Sequence, residues 1–287
     1  MKRENANLWR YLGWIAVFWG FTFVTLNLWL KPYSIAYAQT GTITPGYLAY
    51  ALIGMVFSTP APFLSVLIVA VCWEKIGLKA FFTRLVHTER KGKTALLTGG
   101  FCLAALIFAL LRGKPNGSPW YLLPLGWLVM IPFVGLAEEA GWRGFLQPEM
   151  EKRMKFPFSV LTVAAIWDIW HIDQWLDPTA NHYGDSFLGF SVQIFIWAFA
   201  LAALYKATGS VMACAIYHAF VNAIGAIYDW NALFDPFPGD VSTNIYRAIV
   251  LIGSIALWIH AAKTNTEECQ HGRKESTNRR LSIGRRR

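Results

Sequence analysis

The sequence predicts an all-α, polytopic transmembrane bundle of about eight spans with both termini cytoplasmic, and three observations carry that prediction. Only 15% of the 287 residues are charged while 55% are hydrophobic, against the roughly 25% charge usual in soluble domains. Apolar stretches close to the ~20 residues that a helix needs to cross hydrocarbon recur along the chain. Lysine and arginine collect in alternate connections between those stretches.

In order, the apolar segments are 11–30, 47–72, 94–111, 119–142, 156–172, 187–205, 210–230 and 244–262. All should be helical, because backbone facing lipid must bond within itself. The first, YLGWIAVFWGFTFVTLNLWL, follows Lys2, Arg3 and Arg10 and has no small-residue cleavage pattern, so it reads as an uncleaved anchor. Its Trp14, Trp19 and Trp29 fit ordinary interfacial anchoring. The segment 156–172 is at the short end for a span, and Pro60, Pro62, Pro124 and Pro132 are positions where a helix can break. Residues 1–262 read as one transmembrane domain with its chemical core at 119–230, and 263–287 as a flexible, basic cytoplasmic tail.

The charge distribution is an independent check. Residues 1–10 carry three Lys or Arg, 73–93 six, 143–155 four, position 206 one and 263–287 eight, which is 22 of the 26 in the chain. The other connections hold only Lys31, Arg112 and Lys114, with Arg247 just inside the last span, yet they collect Asp173, Asp177, Asp185, Asp229, Asp235 and Asp240. An even number of spans with cytoplasmic ends satisfies this bias. The net charge of +9 is therefore topological, and it implies the bilayer and anionic inner-leaflet lipid as partners rather than nucleic acid. Cys72, Cys102, Cys214 and Cys269 form no CxxC pair; the first three lie in or beside apolar runs and read as small buried hydrophobes. The chain is thus expected to be a multi-pass integral membrane protein; no oligomeric state follows from its sequence.

Ionisable groups in hydrocarbon are costly and normally face a partner or water inside the bundle. Setting loops aside leaves Glu138, Glu139, Arg143, Asp168, His171, His218 and Asn222, in three segments. In EEAGWR (138–143), Glu139 and Arg143 are four apart and can pair on one helix face. Glu138, rotated by about 100°, stays available. The pair follows directly on an apolar run, which puts it at the end of the fourth span, near the cytoplasmic side. In WDIWH (167–171), Trp167 and His171 share a face with Asp168 between them. If the chain reverses near residue 154 or 155, Glu138 and His171 lie equally far from the turn, roughly 25 Å at ~1.5 Å per residue, and face each other. YHAFVNA sets His218 and Asn222 one turn apart in an apolar helix, where burial without partners costs several kcal/mol.

A free carboxylate, two imidazoles and an amide in one wet pocket suggest water activation. Glu138 would accept the proton of a water that His171 helps to hold, while His218 and Asn222 offer donors to the oxyanion of an attacked peptide carbonyl. A serine or cysteine nucleophile lacks support, because Ser159 and Ser191 have no base at helical spacing. Zinc stays open, since Glu138, His171 and His218 form a sensible ligand set with one free position. No HExxH occurs, and a metal-free reading without any cofactor is favoured.

These three pieces in this order resemble the CPBP family of intramembrane proteases, the type II CAAX-processing, bacteriocin-processing or Abi group, over roughly residues 119–230. The resemblance implies a catalytic glutamate at Glu138 supported by Glu139 and Arg143, and a histidine at His171 with Trp167 where the family usually has phenylalanine. It implies oxyanion stabilisation by His218 and Asn222, and a membrane-associated or lipidated peptide or protein as substrate. A catalytically silent scaffold, chaperone or immunity protein of the same family is the second expectation. A proton-coupled transporter is the third, because paired membrane acids and histidines also serve transport.

Overall fold

The computed structural model describes residues 3–180, 182–228 and 240–284, with side chains described over 5–180, 182–228 and 240–264. Among these residues the chain is all-α, and a single bridge between Pro115 and Tyr228 is the one extended pairing. Ten helices follow one another: α1 (Asn5–Thr40), α2 (Pro45–Ser58), α3 (Ala61–Glu74), α4 (Leu78–Val86), α5 (Lys91–Arg112), α6 (Leu122–Glu151), α7 (Phe156–Trp170), α8 (Phe187–Thr208), α9 (Val211–Ile224) and α10 (Val241–Gly284).

Among the described residues each of the eight apolar segments consists largely of helix, though not all as simple spans. α1, α5, α6, α8 and the 241–264 part of α10 are long and apolar enough to cross a membrane. α2 and α3 meet that condition only together and are bent by 50° at Thr59–Pro60, where Pro60 and Pro62 remove backbone donors. α7 and α9 are apolar but short, at ~1.5 Å per residue well below the ~30 Å of hydrocarbon. α9 lies inside the bundle, and a helix wrapped by protein need not match the bilayer, whereas α7 keeps one outward face with Phe158, Leu161 and Ile169 exposed. α9 buries Ala213, Cys214, Ala215, Tyr217, Ala219, Phe220, Val221 and Ala223, which leaves it almost no lipid face.

Small residues set how closely these central helices approach. A Cβ built at Gly135 of α6 would stand 2.3 Å from the Ala215 carbonyl oxygen of α9, and one at Gly141 would stand 2.5 Å from the Tyr11 hydroxyl and Pro62. Cys214 is packed in the same layer, its thiol donating to the Leu201 carbonyl at 3.4 Å. Cys102 is also buried, but Cys72 is exposed on the outside of α3, which corrects its reading as a core residue.

Contacts between connections sort them into two faces. On one, Asn7 donates to Glu74 at 3.2 Å, Arg153 to Asn5 at 2.7 Å, Lys206 pairs with Glu151, and Thr88 meets Ser210 at 2.9 Å. On the other, Ser34 and Tyr50 donate to Asp177 at 3.0 and 2.8 Å, Arg112 pairs with Asp240, and the Asn116 amide donates to the Ile227 carbonyl at 3.1 Å. These are the basic and acidic sets of the charge pattern; Asp229 and Asp235 lie outside the described residues.

Gly135→Ala should lower stability by about 1–3 kcal/mol through overpacking of α6 on α9. Gly99→Ala, whose added Cβ meets nothing within 4 Å, should leave it unchanged or raise it. Thermal unfolding in detergent compares the two, and equal midpoints would contradict this account of the crossing.

Candidate active site

The site begins with an unusual stretch of α6. Two π-helical turns, Ile131–Leu136 and Trp142–Leu146, flank the short α-helical piece Ala137–Gly141 that carries the acid pair. Pro132 sits in the first of them, where its missing N–H already breaks the regular ladder. The helix does not end at the glutamates: it runs on to Glu151 and buries Arg143, Phe145, Leu146 and Met150. Glu138 and Glu139 therefore stand in the middle of a 30-residue helix rather than at its cytoplasmic end.

Glu139 and Arg143 are both fully buried and pair at 3.1 Å, one turn apart. Two further contacts tie the pair to other helices. Arg143 Nη2 donates to the Ala198 carbonyl of α8 at 3.2 Å, and His218 Nδ1 of α9 lies 2.9 Å from the Glu139 oxygen that Arg143 binds. A carboxylate accepts, so Nδ1 carries the hydrogen and His218 presents Nε2 elsewhere.

Glu138 turns away from this cluster, is 4% exposed, and accepts from the indole N–H of Trp167 at 2.7 Å. The expected meeting of α6 and α7 therefore occurs one turn earlier than His171. Trp167 is the centre of the aromatic layer: the Arg143 guanidinium lies 5.1 Å over its ring, His218 packs edge-on at 5.3 Å, and His171 lies at 5.9 Å. His171 follows the last residue of α7, and its Nδ1 is 2.8 Å from the Trp167 carbonyl. A carbonyl can only accept, so that nitrogen is protonated and Nε2 keeps a lone pair.

Glu138, Trp167, His171, His218 and Asn222 line one cavity of about 920 Å³, within the upper range of small-molecule and peptide sites. Asn222 donates one amide hydrogen to the His218 carbonyl at 3.1 Å. Asp168 does not reach the cavity; it faces α8 and accepts from Ser191 at 2.8 Å. Absent from the sequence reading is the roof of the chamber, the segment 172–186, which adds Asp173, Gln174 and His182 to its wall. Asp177 clasps this segment to α1 and α2: one oxygen accepts from Ser34 and Tyr50, the other from the Thr179 amide and hydroxyl. His182 bonds Asp185 at 3.0 Å and stacks on Trp175 at 5.3 Å. The available signal was the crowding of Asp, His and Trp in this one connection.

The zinc set of Glu138, His171 and His218 does not fit these positions. Among the described residues no three His, Cys, Asp or Glu side chains are placed together so as to hold a metal ion.

Removing one partner from a buried ion pair strands the other in low dielectric, so Arg143→Ala should cost about 3–5 kcal/mol. Glu139→Gln/Arg143→Met, which leaves no charge behind, should recover part of that loss in thermal unfolding. In the roof, burial first and the nearby Asp177 carboxylate push Asp173 up to about 6, against the hydrogen bonds of its own amide and that of Gln174. A raised carboxyl favours the folded state fully below its unfolded value near ~3.9, and the benefit is lost as pH rises through about 6. The melting temperature of Asp173→Asn should therefore gain on the parent between pH 4 and pH 7; an offset constant with pH would refute this.

Residues 119–224, from the first turn before α6 to the end of α9, match the family model described as type II CAAX prenyl endopeptidase Rce1-like. No curated protein matches the chain. The matched segment holds Glu138, Glu139, Arg143, Trp167, His171, His218 and Asn222 in order, and over it the chain is similar to type II CAAX prenyl endopeptidases, which supports a reading as an intramembrane protease of the CPBP family.

Proposed function

We propose that the protein is an intramembrane endopeptidase that hydrolyses a peptide bond of a membrane-associated or lipidated peptide or protein, using water activated by Glu138. The observation that carries this is the convergence of Glu138, His171, His218 and Asn222 on one cavity, within a segment that matches a protease family model. Glu138 accepts one hydrogen bond from Trp167 and retains a carboxylate oxygen for water. His171, held by the Trp167 carbonyl, offers the lone pair of Nε2 to the same water. The water oxygen attacks the scissile carbonyl while its proton passes to Glu138. The C–N bond then breaks, and Glu138 returns that proton to the leaving amine.

The oxyanion of the tetrahedral intermediate needs donors that are already in place. Asn222 spends one N–H on its own helix and keeps the second. His218 donates through Nε2 when its ring is an imidazolium, with the Glu139 carboxylate as counter-ion at Nδ1. Glu139 and Arg143 thereby act as positioning residues. The family description also names prenylated substrates, and a lipid-modified segment is the substrate class we favour.

Glu138→Gln should reduce cleavage of a lipidated reporter peptide by about 10²–10⁴-fold while leaving expression and melting temperature near the parent's. Undiminished turnover would remove Glu138 from the mechanism and point to the silent-scaffold reading. Chelator-washed protein should keep its activity, and stoichiometric zinc found by elemental analysis in such active protein would overturn the metal-free route.

A further inference from the structure

The two faces of the bundle and the position of the cavity together determine from which side the site is reached. Every residue that lines the cavity lies either at the level of Glu138 and His218 or between that level and the acidic face. From α6 these are Met130, Val134 and Glu138, and none after it. From α2 they end at Ser58 and Thr59, just before the bend, and α3 contributes none. From α9 they are His218 and Asn222, continued by Gly225 and Ala226 towards the acidic face. The roof residues between Asp173 and Ser186, Leu26 and Asn27 of α1, and the first half of α8 from Gly189 to Trp197 add to the wall on that same side.

Toward the basic face the chamber is closed. Its floor is the Glu139–Arg143 pair with Trp142 and Trp167, all 0–1% exposed. Beneath them Leu146, Val163, Ala164, Leu201 and Leu204 are packed without exposure above 1%. Gly141 against Tyr11 and Pro62 seals the crossing of α6 with α1 and α3. A floor packed in this way leaves no passage for a peptide strand.

The basic face is the one with Lys75, Lys79, Arg84, Lys91, Lys152 and Arg153, so the positive-inside rule assigns it to the cytoplasm. We infer that the catalytic cavity is reached from the extracytoplasmic half of the membrane and not through the basic face, and that the scissile segment of a substrate reaches Glu138 from that side. This replaces a cytoplasmic placement of the chemistry. The substrate half rests on the protease reading proposed above; the sidedness of the cavity does not. The physical consequence is a restricted substrate class. A membrane-associated peptide must present its cleavage point at or beyond the outer interface, beneath the roof clasped by Asp177.

Sidedness is read directly by cysteine labelling in the full-length chain with Cys72, Cys102, Cys214 and Cys269 replaced by alanine or serine. Three reporters are used one at a time: Ala180→Cys in the roof, Ala226→Cys deeper along the cavity wall, and Lys91→Cys on the basic face. A membrane-impermeant maleimide added to intact cells should modify the first two and not the third, and added to inverted vesicles should modify only the third. Labelling of Ala226→Cys from inverted vesicles, from both sides or from neither would overturn the inference. Sealed vesicles of the two orientations then receive an impermeant lipid-anchored reporter peptide. Cleavage confined to right-side-out vesicles supports the substrate half, and cleavage confined to inverted vesicles refutes it. Loss of cleavage in both orientations with the labelling as expected would sink the protease reading and leave the sidedness standing.

Discussion

A carboxylate with no exposed surface, Glu139, constrains most of what surrounds it. In low dielectric such a group persists only with a partner and with hydrogen bonds to spare. Arg143 supplies the charge one turn away, and His218 supplies a donor from α9. Meeting both demands at once forces α6 and α9 to approach until the backbone of one touches a glycine of the other, at Gly135 and Ala215. Arg143 in turn reaches the Ala198 carbonyl and so positions α8. Three helices are thus located by one buried charge. The arrangement is not free of cost, because Glu139 Oε2 and Arg143 Nε are buried without hydrogen-bond partners among the described residues. Its value is therefore better understood as geometry for the site than as net stability.

With one glutamate neutralised, its neighbour Glu138 faces the cavity. The ~100° rotation between consecutive helical residues puts Glu138 on the cavity side, and the two flanking π turns adjust where that side points. Trp167 then links the halves of the site. Its ring lies under the Arg143 guanidinium, its N–H binds Glu138, and its carbonyl orients His171. A phenylalanine at this position would keep the aromatic wall and lose the hydrogen bond, so the indole of Trp167 decides how the Glu138 carboxylate is held.

The segment outside the matched region does more than anchor the protein. α1 contributes Tyr11 at the sealed floor and Lys31 and Ser34 at the roof, where Lys31 bonds the Leu176 carbonyl and Ser34 bonds Asp177. α2 adds Tyr50 to the same clasp. The cavity consequently belongs to both parts of the chain. The wall with Glu138, His171, His218 and Asn222 lies within residues 119–224, while other parts of the lining come from helices that the family model does not cover.

The sequence by itself determined what local spacing and composition can decide. Low charge and repeated apolar runs imply helices, and each apolar segment is helical. Four-residue spacing implies the Glu139–Arg143 pair, because two side chains one turn apart on the same helix meet whatever the rest of the fold does. The order of Glu138, His171 and His218 was also legible, since ionisable groups stand out against hydrocarbon. The tertiary structure alone decided the rest. That Trp167 rather than His171 meets Glu138, that Asp168 faces Ser191, and that segment 172–186 roofs the cavity all depend on helix rotation and on contacts between residues far apart in sequence. A periodic pattern gives a helix its faces but not its azimuth against its neighbours, and packing at Gly135, Gly141 and the buried ion pair fixes that angle.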